Sequence, residues 1–155
     1  MALVTINGIE EAMAMVGKSI GPCEWCEVTQ ADIDDFARLS GDDQWIHVDV
    51  ERSKRESPYG QTIAHGNLTL SMIDGMRLAL IEMNGFKLGI NYGWDKVRFP
   101  APVPAASRIR ATAELLSVDE IGDGWYQEIT RFMVEVEGNE KPCCVADSVG
   151  RMLVD

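Results

Sequence analysis

The spacing of hydrophobic and polar residues along the chain changes near Lys87. Residues 66–83 are apolar on nearly every helical face, which predicts a long helix, buried almost all round, that ends at Asn84-Gly85. After Lys87 the period changes to two, which predicts strands, most clearly over residues 97–99, 108–115, 125–137 and 143–154. Consecutive strands with turn-like joints favour an antiparallel sheet with the helix against one face, an α+β domain.

Shorter elements precede the long helix. The pattern predicts a helix over 8–16 and a strand over 20–28. Thr29 and Asp32 form a capping-box pattern for a helix that ends at Gly41. A non-helical loop then covers 42–47, and Asp49 is placed to cap a short helix over 50–55.

Composition and charge restrict the class of protein. A chain of 155 residues, 46% of them hydrophobic, fits a single domain over 1–155. Its 14 Lys and Arg against 25 Asp and Glu give a net charge of −11, which argues against a nucleic-acid partner. No stretch approaches the roughly 20 apolar residues of a membrane span, and no basic segment opens the chain as in a secretory signal. We expect a cytoplasmic protein whose basic run 52–55 is a solvated helix face.

The cysteines raise the question of a metal or redox site. Cys23 and Cys26 have the spacing of a zinc half-site or a redox pair, but the next predicted helix begins only near Thr29, and the adjacent Cys143 and Cys144 do not form a second half-site. We therefore expect reduced thiols, no metal and no redox cofactor.

Catalytic chemistry is suggested by the two histidines, which bracket the least regular part of the chain. Asp42 precedes His47 by five residues, so a carboxylate and an imidazole could act on one water molecule. Asp43 competes for the acidic role, and turn capping is the structural alternative for either aspartate. His65 lies beyond the loop.

Three segments together resemble the MaoC-like (R)-specific enoyl-thioester hydratase/dehydratase family, and the Gln44-Trp45 pair within the first of them looks like the family's nodulation-protein-N-like branch. Residues 36–49 are similar to its hydratase motif, 63–71 to the start of its central helix, and 97–103 to its strand and Pro-rich bend. The resemblance implies a hot-dog fold, in which an antiparallel sheet wraps around one long helix. It also implies a homodimer or larger homo-oligomer.

The resemblance assigns roles to particular residues. Asp42 and His47 match the catalytic dyad, and Gly66 matches the residue whose N–H polarises the thioester carbonyl. Gln44 and Trp45 replace the family's frequent Asn-Pro, which leaves the dyad intact.

The implied reaction interconverts 2-enoyl and (R)-3-hydroxyacyl thioesters of coenzyme A or acyl carrier protein, without a cofactor. In the hydration direction we expect Asp42 to take the proton of water and His47 to deliver one to C2. The alternatives are an acyl-thioester hydrolase and a non-catalytic acyl-thioester-binding protein.

Further binding residues are expected on the long helix and the strands. At about 100° per residue, Asn67, Ser71 and Asp74 fall in one sector, which is either a solvent edge or a cavity wall. In a hot-dog fold we predict that this polar stripe borders the substrate cavity near His47 and the subunit interface. Arg98 is the expected contact for the anionic carrier, and the other candidate cations are Lys96, Arg108 and Arg110.

Overall fold

The structure is a computed structural model and describes residues 1–154. Its elements in chain order are β1 (Val4–Asn7), α1 (Gly8–Ala14), β2 (Ser19–Ile20), β3 (Cys26–Val28), α2 (Gln30–Ser40), α3 (Trp45–Val48), α4 (Val50–Glu56), α5 (Gly66–Leu80), β4 (Ile81–Asn84), β5 (Leu88–Arg98), β6 (Ser107–Gly122), β7 (Trp125–Val136) and β8 (Pro142–Leu153).

An antiparallel sheet in the order β2-β6-β7-β8-β5 forms one layer, with β3 also paired to β6. The alternation along β6 is as predicted, because Ile109, Ala111, Ala113 and Leu115 are all at most 1% exposed while Arg108 and the residues between them lie on the other face. The predicted antiparallel α+β architecture is thus confirmed.

Helix α5 packs against β6 and β8 and contributes one side of the core. Its buried positions are Thr69, Ile73, Met76 and Leu80, which recur at the three- and four-residue spacing of a single helix face. Truncating a fully buried residue such as Ile73 to alanine would cost about 2–5 kcal/mol of stability.

Two predictions about this helix were wrong. It ends at Leu80 rather than at Asn84-Gly85, and 81–84 form β4, which pairs in parallel with β1. A continuous apolar run does not distinguish a buried helix from a buried strand, so periodicity could not locate this boundary. Nor is the helix buried all round in the single chain, since Leu78 is 70% exposed.

The segment between β3 and α5 contains three helices, α2, α3 and α4, and the predicted dyad residues Asp42 and His47. The Thr29–Asp32 capping box and the left-handed Gly41 (φ 80°) bound α2 as predicted, and Asp49 caps α4. The predicted strand over 20–28 is divided into β2 and β3. The predicted loop over 42–47 contains the single turn α3, so His47 lies on a helix rather than in a loop. None of the helices within the described range has the length and apolar character needed to cross a membrane.

Candidate active site

Asp42 lies in the short segment between the C-terminus of α2 and the start of α3. Gly41 adopts φ 80°, a conformation that glycine reaches without a Cβ penalty, and the chain turns sharply there. Asp42 comes directly after this turn and is exposed, whereas His47 on α3 is only 6% exposed. The two are held on consecutive short segments, with an exposed carboxylate beside a buried imidazole.

His47 has a defined tautomer. Its Nδ1 lies 2.7 Å from the backbone oxygen of Ile63, and because a carbonyl can only accept, Nδ1 carries the proton. Nε2 of the neutral ring therefore presents a lone pair. The pKa of His47 is lowered below its ordinary value, mainly because the ring is buried. A positive charge on His65 lowers this pKa further, whereas the Ile63 carbonyl and the Asp42 carboxylate each raise it and partly offset the effect of burial.

His65 joins the pair from the other side. Its ring stacks on that of His47 with centroids 3.8 Å apart and an interplanar angle of 25°, and its Nε2 donates to the backbone oxygen of Asp42 over 2.8 Å. Asp42, His47 and His65 each offer one potential ligand atom, and these three atoms lie within 4.8 Å of one another.

Gly66 opens α5 next to His65 and lines the same cavity as His47. The cavity has a volume of about 270 Å³, and Phe99, Val103 and Cys143 are among its other walls. The first N–H groups of a helix have no intrahelical acceptor and lie at its positive end, so Gly66 can donate to an oxygen bound here. A Cβ on Gly66 would lie 2.8 Å from the Phe99 ring, so any side chain at this position would force that ring to shift.

Gln30 and Thr62 form a hydrogen-bonded pair that holds the backbone of His47, and this pair was not predicted from the sequence. Gln30 donates from Nε2 to the backbone oxygen of His47 over 2.8 Å, and its Oε1 accepts from Thr62 Oγ1 over 2.5 Å. This pair ties α2, α3 and the segment before α5 together. Gln30 gives no sequence signal of that role, because a polar residue in the first turn of a helix is ordinary.

Asp43, the rival carboxylate, lies elsewhere. It lines a separate surface pocket with Asp34, Arg38 and Val48, whereas Asp42 lies within reach of both histidines. Of the two aspartates, Asp42 is the one that lies near His47 and His65.

The polar stripe is exposed at all three of its positions, Asn67, Ser71 and Asp74, in the single chain. The structure does not bring Asp74 to the cavity of His47. Asp74 lines a second cavity of about 240 Å³, where Arg77 pairs with the buried carboxylate of Glu128 over 2.8 Å. The stripe thus faces away from the core rather than into it.

The four predicted cationic residues differ in whether they form ion pairs with neighbouring carboxylates. Arg108 pairs with Glu137, and Arg110 pairs with Glu135 over 2.5 Å, so both charges are compensated across β6 and β7. Arg98 is exposed and donates only to the backbone oxygen of Val97 among the contacts of the described residues. Lys96 is exposed with φ 52°.

All four cysteines are free thiols in the described chain. Cys23 Sγ accepts from Ala111 N over 3.3 Å, and Cys26 Sγ donates to the Ile109 oxygen over 3.4 Å, so both thiols bond to the backbone of β6. Burial raises the pKa of Cys143, the thiol in the wall of the His47 cavity, to about 12, which leaves it protonated.

The sheet wrapped against α5, with an Asp/His pair at one end of that helix, defines a hot-dog domain of the hydratase type. The chain belongs to the MaoC-like family: the profile described as "MaoC like domain" matches residues 11–135.

Individual relatives agree with this membership. The chain is 45% identical to the 3-hydroxyacyl-thioester dehydratase Z of Mycobacterium tuberculosis, over 95% of this chain and 97% of that protein. It is 36% identical to nodulation protein N of Rhizobium leguminosarum, over 90% and 87% of the two chains. An unliganded (R)-hydratase from Pseudomonas aeruginosa superposes with a TM-score of 0.69 at 21% identity, covering 90% of this chain and 83% of that one, a likeness that establishes the fold.

Proposed function

We propose that this protein is a hydratase/dehydratase that interconverts 2-enoyl and (R)-3-hydroxyacyl thioesters of coenzyme A or acyl carrier protein. The observation that carries the proposal is the meeting of an acid–base pair with a helix N-terminus, since His47 and Gly66 line one cavity and Asp42 lies beside His47. The name of the 45%-identical mycobacterial relative, a 3-hydroxyacyl-thioester dehydratase, supports the same chemistry here.

In the hydration direction, a water molecule between Asp42 and His47 attacks C3 of the enoyl thioester. Its proton passes to the Nε2 lone pair of His47, and the electron pair of the C2–C3 double bond moves onto the thioester as an enolate. The imidazolium then returns the proton from Nε2 to C2. Dehydration reverses these steps, so that the C2–H bond and the C3–O bond break and water leaves.

This division of roles differs from the one expected from sequence, where Asp42 accepted the proton of water. The Nδ1–H bond to Ile63 leaves Nε2 of the neutral ring able only to accept, which suits His47 for the first proton transfer. Asp42, as an exposed carboxylate, is then an acceptor for the second O–H of the water and orients it.

The enolate oxygen is the charge that develops in the transition state, and Gly66 N–H is the group placed to stabilise it. One donor of this kind contributes about 3 kcal/mol in other enzymes. The developing negative charge also lies at the positive end of α5.

We propose that the reaction uses no metal and no redox cofactor, because the thioester itself acidifies C2. The geometry of the Asp42–His47–His65 group supports this. A ring-nitrogen lone pair lies in the plane of its ring, so two rings stacked 3.8 Å apart at 25° hold their lone pairs in separate, nearly parallel planes that do not meet at one nearby point. His47 Nδ1 and His65 Nε2 are, moreover, already committed to carbonyl oxygens.

We also propose that the enzyme is a homodimer or larger homo-oligomer assembled through β5. This strand lies at the end of the sheet order, and its Leu88, Ile90 and Tyr92 are 47%, 41% and 58% exposed. A long edge strand with exposed apolar residues is a template for pairing with another chain. Arg98, at the end of the same strand, remains our proposed contact for the anionic carrier.

The test is a panel of enoyl-CoA chain lengths with purified protein, following loss of the enoyl absorbance and the configuration of the 3-hydroxyacyl product. Release of free thiol, measured in the same reaction, identifies a hydrolase, and binding without turnover identifies a non-catalytic protein. Either of these results with folded protein would contradict the proposal. Size-exclusion chromatography with light scattering tests the oligomer.

A further inference from the structure

His65 has no part in the proton transfers proposed above, yet its side chain is almost completely enclosed, with a residue exposure of 2%. Phe36 packs against its ring with centroids 5.0 Å apart, and His47 stacks against the ring at 3.8 Å. The side chain therefore lies between the end of α2 and the imidazole that carries the proton.

The hydrogen bonds of His65 are unequal at its two nitrogens. The carbonyl oxygen of Asp42 can only accept, so Nε2 at 2.8 Å carries the proton, and Nδ1 of the neutral ring is left as an acceptor. Nδ1 and Thr130 Oγ1 are the buried side-chain atoms without a hydrogen-bond partner in the described residues. Leaving a buried polar atom unpaired lowers stability, so stability alone gives no reason for a histidine here.

We propose that His65 is a positioning residue for the dyad, holding Asp42 through its Nε2–H bond and the His47 ring through stacking. The inference rests on the proposed hydratase function. Asp42 follows a turn and is exposed, so the bond from His65 fixes a backbone that packing does not fix.

The position of His65 in the chain adds a third connection. It is the N-cap residue of α5, so Gly66, the proposed oxyanion donor, is its immediate neighbour. His65 therefore contacts the segment of the water-orienting carboxylate and the imidazole, and it adjoins the helix N-terminus. A displacement of about 1 Å among such groups can cost about 100-fold in rate.

Two substitutions separate the two contacts. His65→Gln keeps a side-chain N–H that can reach the Asp42 oxygen, and His65→Phe keeps a planar ring against His47 but removes the donor. Thr130→Val is the matched control, because it replaces the other buried unpaired polar group by an apolar one on β7, away from the dyad.

We expect His65→Phe to lower kcat about 10- to 100-fold with KM within about threefold, and His65→Gln to recover at least about a third of the wild-type kcat. Both variants and the control should keep Tm within a few degrees, and the control should keep kcat. A wild-type kcat in His65→Phe, or a loss of kcat that follows only a loss of folded protein, would overturn the proposal. So would a glutamine variant as slow as the phenylalanine variant.

A measurement without substrate separates this inference from the proposed function. Nitrogen-15 imidazole spectra of the two histidines should show His47 protonated at Nδ1 and His65 at Nε2. In His65→Phe, which keeps the stacked ring and leaves the Ile63 contact in place, the His47 signals should remain those of the Nδ1-protonated tautomer, so that the loss of kcat is assigned to the missing bond to Asp42. A wild-type His65 protonated at Nδ1 would overturn the arrangement, whatever the activity. A protein inactive on every thioester but with the expected tautomers would contradict only the proposed function.

Discussion

The Nδ1 atom of His47 lies 2.7 Å from the carbonyl oxygen of Ile63, and this contact determines which nitrogen can accept a proton. The Ile63 carbonyl is itself fixed, since the flanking segment bonds to two neighbours: Ile63 N donates to Ile46 O over 3.1 Å and Ala64 N to Val103 O over 2.8 Å. A rigid backbone acceptor thus holds a buried ring in the tautomer that water activation requires.

The first prediction concerns the dyad. His47→Gln should lower hydratase turnover by about 100-fold or more, since a positioned acid–base group contributes about 10²–10⁴-fold. Asp42→Asn should lower it by a similar factor, because it removes the negative charge that orients the water and favours the His47 imidazolium. Steady-state kinetics with an enoyl-CoA measures this, with circular dichroism to verify folding. Asp43→Asn is the matched control and should be far milder, because Asp43 lines a different pocket. Folded dyad variants with near wild-type rates would mean that the dyad is wrongly assigned.

The second prediction concerns pH. Because burial lowers the pKa of His47 below 6.5, its neutral, proton-accepting form persists as the pH falls through that value. Activity should therefore fall only at lower pH, where the folded protein protonates His47. A profile of kcat/KM against pH should show an acid limb with its midpoint below about 6.5. A midpoint at or above this value would show that burial does not control the pKa of His47.

The parts of the fold that sequence could predict are those with a local or periodic cause. The Thr29–Asp32 capping box, the Gly41 stop and the Asp49 cap are local hydrogen-bonding patterns, and the alternation along β6 reports one buried face. The prediction that was wrong concerns an element that forms by pairing with a strand far away in the sequence. Residues 81–84 become a strand because β1 lies alongside them, and nothing within the apolar run records that partner.

The same distinction applies to the site. Asp42 and His47 could be found because their spacing within one motif carries the resemblance. The groups that orient them could not, because they are a backbone oxygen of Ile63, an ordinary polar residue Gln30 and a ring contact from His65, which are 16, 17 and 18 positions from His47. Long-range contacts of this kind depend on the packing of α2 and α5 and leave no spacing pattern.

The third prediction concerns Gly66. Gly66→Ala would place a Cβ 2.8 Å from the Phe99 ring, which must move into the cavity or away from it. We expect kcat/KM to fall by about 10-fold or more, since a shifted oxyanion donor loses part of its contribution of about 3 kcal/mol. The double variant Gly66→Ala with Phe99→Ala should recover part of the loss. Gly75→Ala on the same helix is the control, because its Cβ would meet nothing within 4 Å. A Gly66→Ala enzyme with wild-type kinetics would remove Gly66 from the mechanism.

The fourth prediction concerns the thiols and metals. Cys23→Ser combined with Cys26→Ser should keep activity within a few-fold under reducing conditions, since a serine hydroxyl can make the same backbone bonds to β6. Some loss of Tm is expected because Cys23 is buried. Dialysis against a chelator should leave the activity of the wild-type protein unchanged. Stoichiometric zinc that disappears in the double variant, or activity that returns only with added metal, would contradict this prediction.

The last prediction concerns the polar stripe of α5, which we still expect to border the bound acyl thioester once β5 pairs with a second copy. Asp74 is exposed in the single chain, so Asp74→Leu removes no buried contact and should change Tm little. Loss of a polar contact worth about 0.5–1.5 kcal/mol should instead raise KM about 2- to 10-fold or shift the preferred chain length, and Ser71→Leu should act in the same direction. Asp74→Asn, which keeps the shape and one acceptor, is the matched control and should lie between wild type and Asp74→Leu. Kinetics across enoyl-CoA chain lengths, read beside thermal melts, decides the matter: variants that melt early but have unchanged KM and selectivity would make the stripe structural.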